Sequence, residues 1–209
     1  MKEVSGSFLS NNDKYYEIER LNNSNVDYIH FDVMDGKFVK NKNISLNEIT
    51  KLIDKVKKKI DIHLMVNNPS KYIDKVSFYN IDFITIHYEI KNLENTIEKI
   101  KNCGFKVGIA VKPETDIKDI YYLLDRVNLV LIMSVNPGKS GQEFIKETSI
   151  KITKLKEEIN KRNLNVKISV DGGINSKVLD YVKDADILVS ASFILKDLNT
   201  NVDILKNNN

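Results

Sequence analysis

The chain has 209 residues, enough for one sizeable core and too few for two comfortable domains, so a single domain is expected over 1–209. It is 42% hydrophobic and 29% charged, and its net charge of +3 comes from 32 basic and 29 acidic residues spread along the chain. That balance gives no ground for a nucleic-acid partner. No stretch approaches 18 uninterrupted apolar residues, and the start, Met1-Lys2-Glu3-Val4-Ser5, has no apolar signal segment. No membrane is expected as a partner, and the expected location is the cytoplasm.

Short apolar, β-branched runs recur in order at 4–9, 28–33, 60–66, 83–87, 107–111, 129–135, 166–170 and 187–189. Runs that are apolar along their whole length fit parallel strands covered on both faces. Between them lie segments with helical spacing. In 46–56 the apolar set is Leu46, Ile49, Leu52, Ile53 and Val56, and in 150–159 it is Ile150, Ile152, Leu155 and Ile159. The basic run 55–59 reads as the solvated end of the earlier helix. Cys103, alone in the chain, cannot form an internal disulfide and reads as a small buried hydrophobe before Gly104. The polar tail, about 204–209, is expected to fray.

Strands alternating with helices define the α/β class and allow a closed (β/α)8 barrel or an open doubly wound sheet. The count of eight strands, with no G-x-G-x-x-G turn after the first, favours the barrel, known as the TIM barrel. In such a barrel the reacting groups sit at the carboxyl ends of the strands. Unusual polar residues fall there: Ser7 late in strand one, His30 and Asp32 in strand two, and His63 in strand three. His87 ends strand four, Ser134 and Asn136 end strand six, and Asp171 ends strand seven.

His30 and Asp32 are two apart, so on a strand both point the same way. With His63 on the next strand and Asp171 across the barrel they could complete a metal-ligand set of two imidazoles and two carboxylates. That mixture suits Zn²⁺, Fe²⁺, Mn²⁺ or Co²⁺ better than Mg²⁺ or Ca²⁺. His87 is not needed for four ligands and is assigned an upper-barrel hydrogen bond. Asp171-Gly172-Gly173 and Asn136-Pro137-Gly138-Lys139-Ser140-Gly141-Gln142 both follow apolar strands. Glycines before a helix let backbone N–H groups approach an anion. Gly172, Gly173, Ala191 and Ser192 fall in the loops after strands seven and eight, where barrels frequently bind phosphate.

These residues carry a family resemblance. His30-Phe31-Asp32-Val33-Met34-Asp35-Gly36-Lys37-Phe38-Val39 resembles the H-x-D-x-M-D-G-x-F-V signature of ribulose-phosphate 3-epimerases. Asp61-Ile62-His63-Leu64-Met65-Val66 is similar to their second signature. Val135-Asn136-Pro137-Gly138 with Gly141, Gln142 and Phe144 resembles their loop after strand six, and Val170-Asp171-Gly172-Gly173-Ile174 their strand-seven motif. The correspondence runs in order from Ser7 to Ser192.

The resemblance implies a ribulose-phosphate-binding type of barrel and an isomerase, a ribulose-phosphate 3-epimerase of the pentose phosphate pathway. It would interconvert D-ribulose 5-phosphate and D-xylulose 5-phosphate through an enediolate. One divalent metal is implied, usually Zn²⁺ or Fe²⁺, held by His30, Asp32, His63 and Asp171, with Asp32 and Asp171 also the acid/base pair. Ser7 and His63 would contact the substrate, Gly138, Lys139, Ser140 and Gly141 would belong to its binding loop, and Met34, Met65 and Met133 would surround the reacting centre. Related barrels form homo-oligomers, and the same is expected here.

This chain departs from the family's common pattern at four places. It has Gly138-Lys139-Ser140-Gly141 for Gly-Phe-Gly-Gly, Ala191-Ser192 for Gly-Ser, Gly6 for a proline, and Lys40 for another. None removes a ligand or an acid/base carboxylate. The altered phosphate loops keep a sister activity open, 3-epimerisation of D-allulose 6-phosphate. A reading of a different class is a non-catalytic barrel that binds phosphate or metal, against which the intact ligand set counts.

Overall fold

The computed structural model describes residues 1–11 and 13–207. Eight parallel strands close into a barrel, each hydrogen-bonded to the next in chain order and the last to the first. They are β1 (Glu3–Ser7), β2 (Tyr28–Met34), β3 (Lys59–Met65), β4 (Phe83–His87), β5 (Lys106–Val111), β6 (Leu129–Met133), β7 (Lys167–Asp171) and β8 (Ile187–Ser190). The helices are α1 (Lys14–Asn22), α2 (Leu46–Ile53), α3 (Pro69–Val76), α4 (Leu93–Asn102), α5 (Thr148–Lys161) and α6 (Leu198–Lys206). The crossover from β5 to β6 is instead a 3-10 helix, Ile117–Arg126, and the one from β7 to β8 contains only a short 3-10 turn, Leu179–Val182.

The period-two alternation of each strand sorts its residues into two cores. On β2, Ile29, Phe31 and Val33 face outward and join the layer between sheet and helices. Tyr28 faces inward, with Phe83, Ala110, Leu129, Leu131, Met133, Ile187 and Val189 from the other strands. Each large aliphatic side chain so buried stabilises the fold by about 1.5–3 kcal/mol. The inner layer is not purely apolar. Ser5, His30, Asp61, Thr85 and Ser169 are also buried there; Ser5 and His30 Nδ1 meet the Asp61 carboxylate, while the Thr85 and Ser169 hydroxyls have no partner among the described residues.

Local chemistry sets the helix ends. Glu48 reaches back to accept the Ser45 backbone N–H at 3.3 Å, opening α2, while Pro69 opens α3 at a position whose N–H has no helical partner. The helix expected over 46–56 stops at Ile53, because Val56 already belongs to the turn into β3. Lys59 accordingly starts a strand rather than closing a helix. Cys103 caps α4 and is only half-buried. The expected frayed tail is corrected for 204–206, which lie in α6 with Leu205 fully buried against the barrel; its last two positions lie outside the described residues. Among the described residues, no helix is long and apolar enough to cross a membrane.

Candidate active site

Strand register brings the polar residues together. Across β2 and β3, Asp32 lies beside His63 and Met34 beside Met65; across β6 and β7, Met133 lies beside Asp171. The result is a cluster at the carboxyl end of the barrel. His30, Asp32, His63 and Asp171 each offer one ligand atom, and these atoms all lie within 4.8 Å of one another.

His30 is fully buried. Its Nδ1 lies 2.7 Å from Asp61 Oδ2, and Ser5 Oγ donates to the same carboxylate oxygen at 3.3 Å. A carboxylate at Nδ1 takes the Nδ1–H and turns the Nε2 lone pair toward the cluster. There Nε2 is 3.3 Å from Asp32 Oδ1 yet makes no hydrogen bond, and it is one of the buried polar atoms without a partner. Burial pulls the His30 pKa down, but the Asp32 and Asp61 carboxylates override it and hold it well above the ordinary value. The point in front of Nε2 therefore favours positive charge, whether a proton or a cation supplies it. An orphaned imidazole nitrogen facing two carboxylates and a second imidazole fits a divalent ion of the Zn²⁺ or Fe²⁺ kind.

Asp32 has one oxygen for each task. Oδ2 accepts from Ser7 Oγ at 2.8 Å, and Oδ1 lies 3.2 Å from His63 Nδ1. Burial pushes the Asp32 pKa up, yet His30 and His63 together outweigh it and hold the carboxyl well below its usual range. Asp171 Oδ2 lies 3.8 Å from His63 Nδ1. Burial, reinforced by the charge on Asp32, pushes Asp171 up to about 6. The two carboxyls are thus driven apart, one to stay ionised and one to take up a proton as the pH falls toward 6, which is the kind of division that acid/base pairs need.

Above this floor opens a small cleft. Ser7, Asp32 and Asp171 line it, as do the three methionines Met34, Met65 and Met133, the loop Gly138 to Gly141, Gly172 with Gly173, and Ala191 with Ser192. His30 and His63 lie beneath the lining, fully buried. The loop after β6 is tied to itself and to the loop after β2. Gln142 Nε2 donates to Asn136 O and Lys139 O at 2.7 and 2.8 Å, and Asn41 Nδ2 donates to Gly138 O at 2.7 Å. Lys139 itself is exposed at the rim. Gly172 and Gly173 both take positive φ, 122° and 64°. A Cβ on Gly172 would stand 2.9 Å from Val135 N, and one on Gly173 2.6 Å from Phe144 N, so only glycine lets the two loops meet. Gly6 has a packing reason as well, since a Cβ there would meet the Leu21 side chain at 2.6 Å.

Asp61 and Glu89 have no site role in the sequence reading. Asp61 enters it only within a motif, although its spacing of two from His63 on a strand gives the two residues the same face. His87 does make an upper-barrel hydrogen bond, with Nε2 2.9 Å from His63 Nε2, but it also engages Glu89 Oε2 through Nδ1 at 3.1 Å. Burial outweighs the Glu89 charge and lowers His87 to about 4. Glu89 is held near 2, because its hydrogen bonds from His87, Thr115 and the Lys112 N–H outweigh burial.

Fold and site together define a class: a (β/α)8 barrel with two carboxyls and two imidazoles that could hold a metal ion converging under a small, loop-rimmed cleft at the carboxyl ends of its strands. Residues 3–195 match the ribulose-phosphate 3 epimerase family, and the chain belongs to that family, which makes it a carbohydrate epimerase. It is 36% identical over 197 residues to a ribulose-phosphate 3-epimerase of Helicobacter pylori, covering 93% of this chain and 91% of that one. It is 40% identical over 182 residues to a ribulose-phosphate 3-epimerase of Methanocaldococcus jannaschii, covering 85% and 76%. A chloroplastic ribulose-5-phosphate-3-epimerase of Arabidopsis thaliana is 36% identical over 203 residues, covering 93% and 72%. Among solved structures, a mutant tryptophan synthase α-subunit of Pyrococcus furiosus superimposes with a TM-score of 0.70 at 12% identity, covering 98% of this chain and 97% of that one. At that identity the likeness concerns the fold alone.

Proposed function

We propose that the chain interconverts D-ribulose 5-phosphate and D-xylulose 5-phosphate, with Asp32 and Asp171 as the acid/base pair. The observation that carries this reading is the pair of carboxyls itself. Both lie at the floor of one cleft, both face His63 Nδ1, and their proton affinities are driven in opposite directions. Epimerising a carbon beside a ketone removes a proton from one face and returns one to the other. The ionised Asp32 takes the C3 proton, and protonated Asp171 delivers one to the opposite face; in the reverse direction the roles exchange. Ser7 orients Asp32, and Met34, Met65 and Met133 exclude water without offering an acidic proton to the carbanionic carbon.

His30 Nε2, Asp32 Oδ1, His63 Nδ1 and Asp171 would hold one divalent ion, with Zn²⁺ or Fe²⁺ the best fit and Mn²⁺ or Co²⁺ compatible. Bound there, it supplies Lewis-acid stabilisation to the negative charge that develops on the sugar oxygens. The glycines at 172 and 173, the loop 138–141, Ala191 and Ser192 would receive the phosphate through backbone N–H groups, with the charge of Lys139 at the rim. A cytoplasmic location and a homo-oligomeric assembly remain the expectations.

The test is C3 solvent-proton exchange, followed with the metal-loaded protein and each of two substrates, D-ribulose 5-phosphate and D-allulose 6-phosphate. Exchange with the pentose phosphate alone is expected. Exchange with the hexose phosphate alone would replace the substrate assignment, and none with either would leave a binding barrel.

A further inference from the structure

The His63 side chain reaches outward from the cluster through a series of partners that the acid/base and ligand roles do not use. His63 Nε2 lies 2.9 Å from His87 Nε2, and His87 Nδ1 lies 3.1 Å from Glu89 Oε2. The other Glu89 oxygen, Oε1, accepts from the Lys112 N–H at 3.0 Å and from Thr115 Oγ1 at 2.5 Å. The carbonyls of Lys112, Pro113 and Thr115, in turn, converge on Lys151 Nζ, with the first two at 3.1 and 2.5 Å, so α5 anchors the outer end. His87 is fully buried and its ring packs 4.7 Å from that of Phe38, which holds its orientation.

We propose that His87 and Glu89 are positioning residues that hold His63 as its Nε2–H tautomer, leaving Nδ1 unprotonated toward Asp32 and Asp171. The donor sense follows from the outer end inward. An ionised carboxylate only accepts, so His87 must carry its proton on Nδ1. With its one proton on Nδ1, His87 presents Nε2 as an acceptor, and among the described residues the donor within reach is His63 Nε2–H. The opposite tautomer of His63, which the ionised Asp32 Oδ1 at 3.2 Å favours when no cation is bound, puts a proton on Nδ1 and closes that nitrogen to a metal, so the His87–Glu89 pair works against it. The inference rests on the proposed ligand role of His63, and its test separates the two.

The chain has three histidines, so long-range proton–nitrogen NMR of the uniformly labelled protein resolves each tautomer. The zinc-loaded wild-type protein is expected to show His63 protonated at Nε2 alone, and His87 is expected to be protonated at Nδ1 with or without zinc. In chelator competition, His87→Leu is expected to weaken zinc affinity by about 10–100-fold, the usual effect of losing a partner behind a metal-bound histidine. His87→Gln, whose side-chain oxygen accepts the same hydrogen bond, should restore most of it. A His87 proton on Nε2 in the wild type, or wild-type zinc affinity in His87→Leu, would overturn the proposal. Should neither His87 variant fold, Glu89→Leu removes the acceptor that fixes the Nδ1 proton. It is expected to lose that tautomer and bind zinc more weakly, and no change in either overturns the relay. If the wild type binds no zinc, the ligand assignment fails, while the position of the His87 proton in the metal-free protein still decides the relay: Nδ1 supports it and Nε2 overturns it.

Discussion

Ser7 Oγ donates to Asp32 Oδ2 at 2.8 Å, and that contact leaves Oδ1 as the oxygen facing the two imidazoles. Both residues are nearly inaccessible to solvent, at 2% and 5%, so no water replaces the hydroxyl cheaply. Ser7→Ala should therefore free the carboxylate to rotate and leave one buried oxygen unpaired. A hydrogen bond to a charged group contributes about 1.5–3 kcal/mol, which corresponds to a fall of roughly 10–100-fold in kcat/KM. Steady-state kinetics with bound metal measured alongside checks this, since an orienting role lowers turnover while metal content stays.

Asp32→Asn and Asp171→Asn should each abolish epimerisation in a barrel that still folds, because an amide neither takes nor delivers the C3 proton. Circular dichroism and the exchange assay together decide it. Near-normal turnover in either variant would remove that residue from the acid/base pair.

Gly172→Ala should cost about 1–3 kcal/mol of stability, the usual strain of a side chain held at positive φ, with the close approach to Val135 adding to it. The expected readouts are a lower urea midpoint and a higher KM, since the same loop lines the cleft. An unchanged midpoint would mean that the loops part without cost.

Acid should destabilise the metal-free protein in two overlapping steps. The folded state holds His87 near 4 against an ordinary 6.5, chiefly by burial, so its contribution is complete above about pH 6.5 and is lost as the pH falls toward 4. Glu89 is held near 2 against 4.5, so its contribution is complete above 4.5 and is lost as the pH falls toward 2. Each contributes on the order of 1–3 kcal/mol. Asp171 and His30, raised in the folded state, act in the opposite sense over the same range, so the comparison is made against His87→Gln: relative to that variant, the urea midpoint of chelator-treated wild-type protein should fall as the pH drops from about 6.5 toward 4.

Much of this protein was legible in its sequence because it rests on periodicity along the chain. The β-branched runs marked all eight strands to within two residues of their ends, and the step of two between His30 and Asp32 put both on one face, which the closed barrel makes the inner one. The family motifs named the four ligand candidates that the barrel gathers within 4.8 Å. Tertiary structure alone decided what depends on register between strands and on ring orientation. It set Asp61 behind His30, so that Nε2 faces the cluster, and His87 with Glu89 behind His63, so that Nδ1 does. It also drove Asp32 and Asp171 in opposite directions, since burial and the neighbouring charges act through space across strands far apart in sequence. A strand's own residues fix which face each side chain takes. Which nitrogen of a histidine meets which oxygen is fixed only when the barrel closes and each ring must satisfy both of its neighbours.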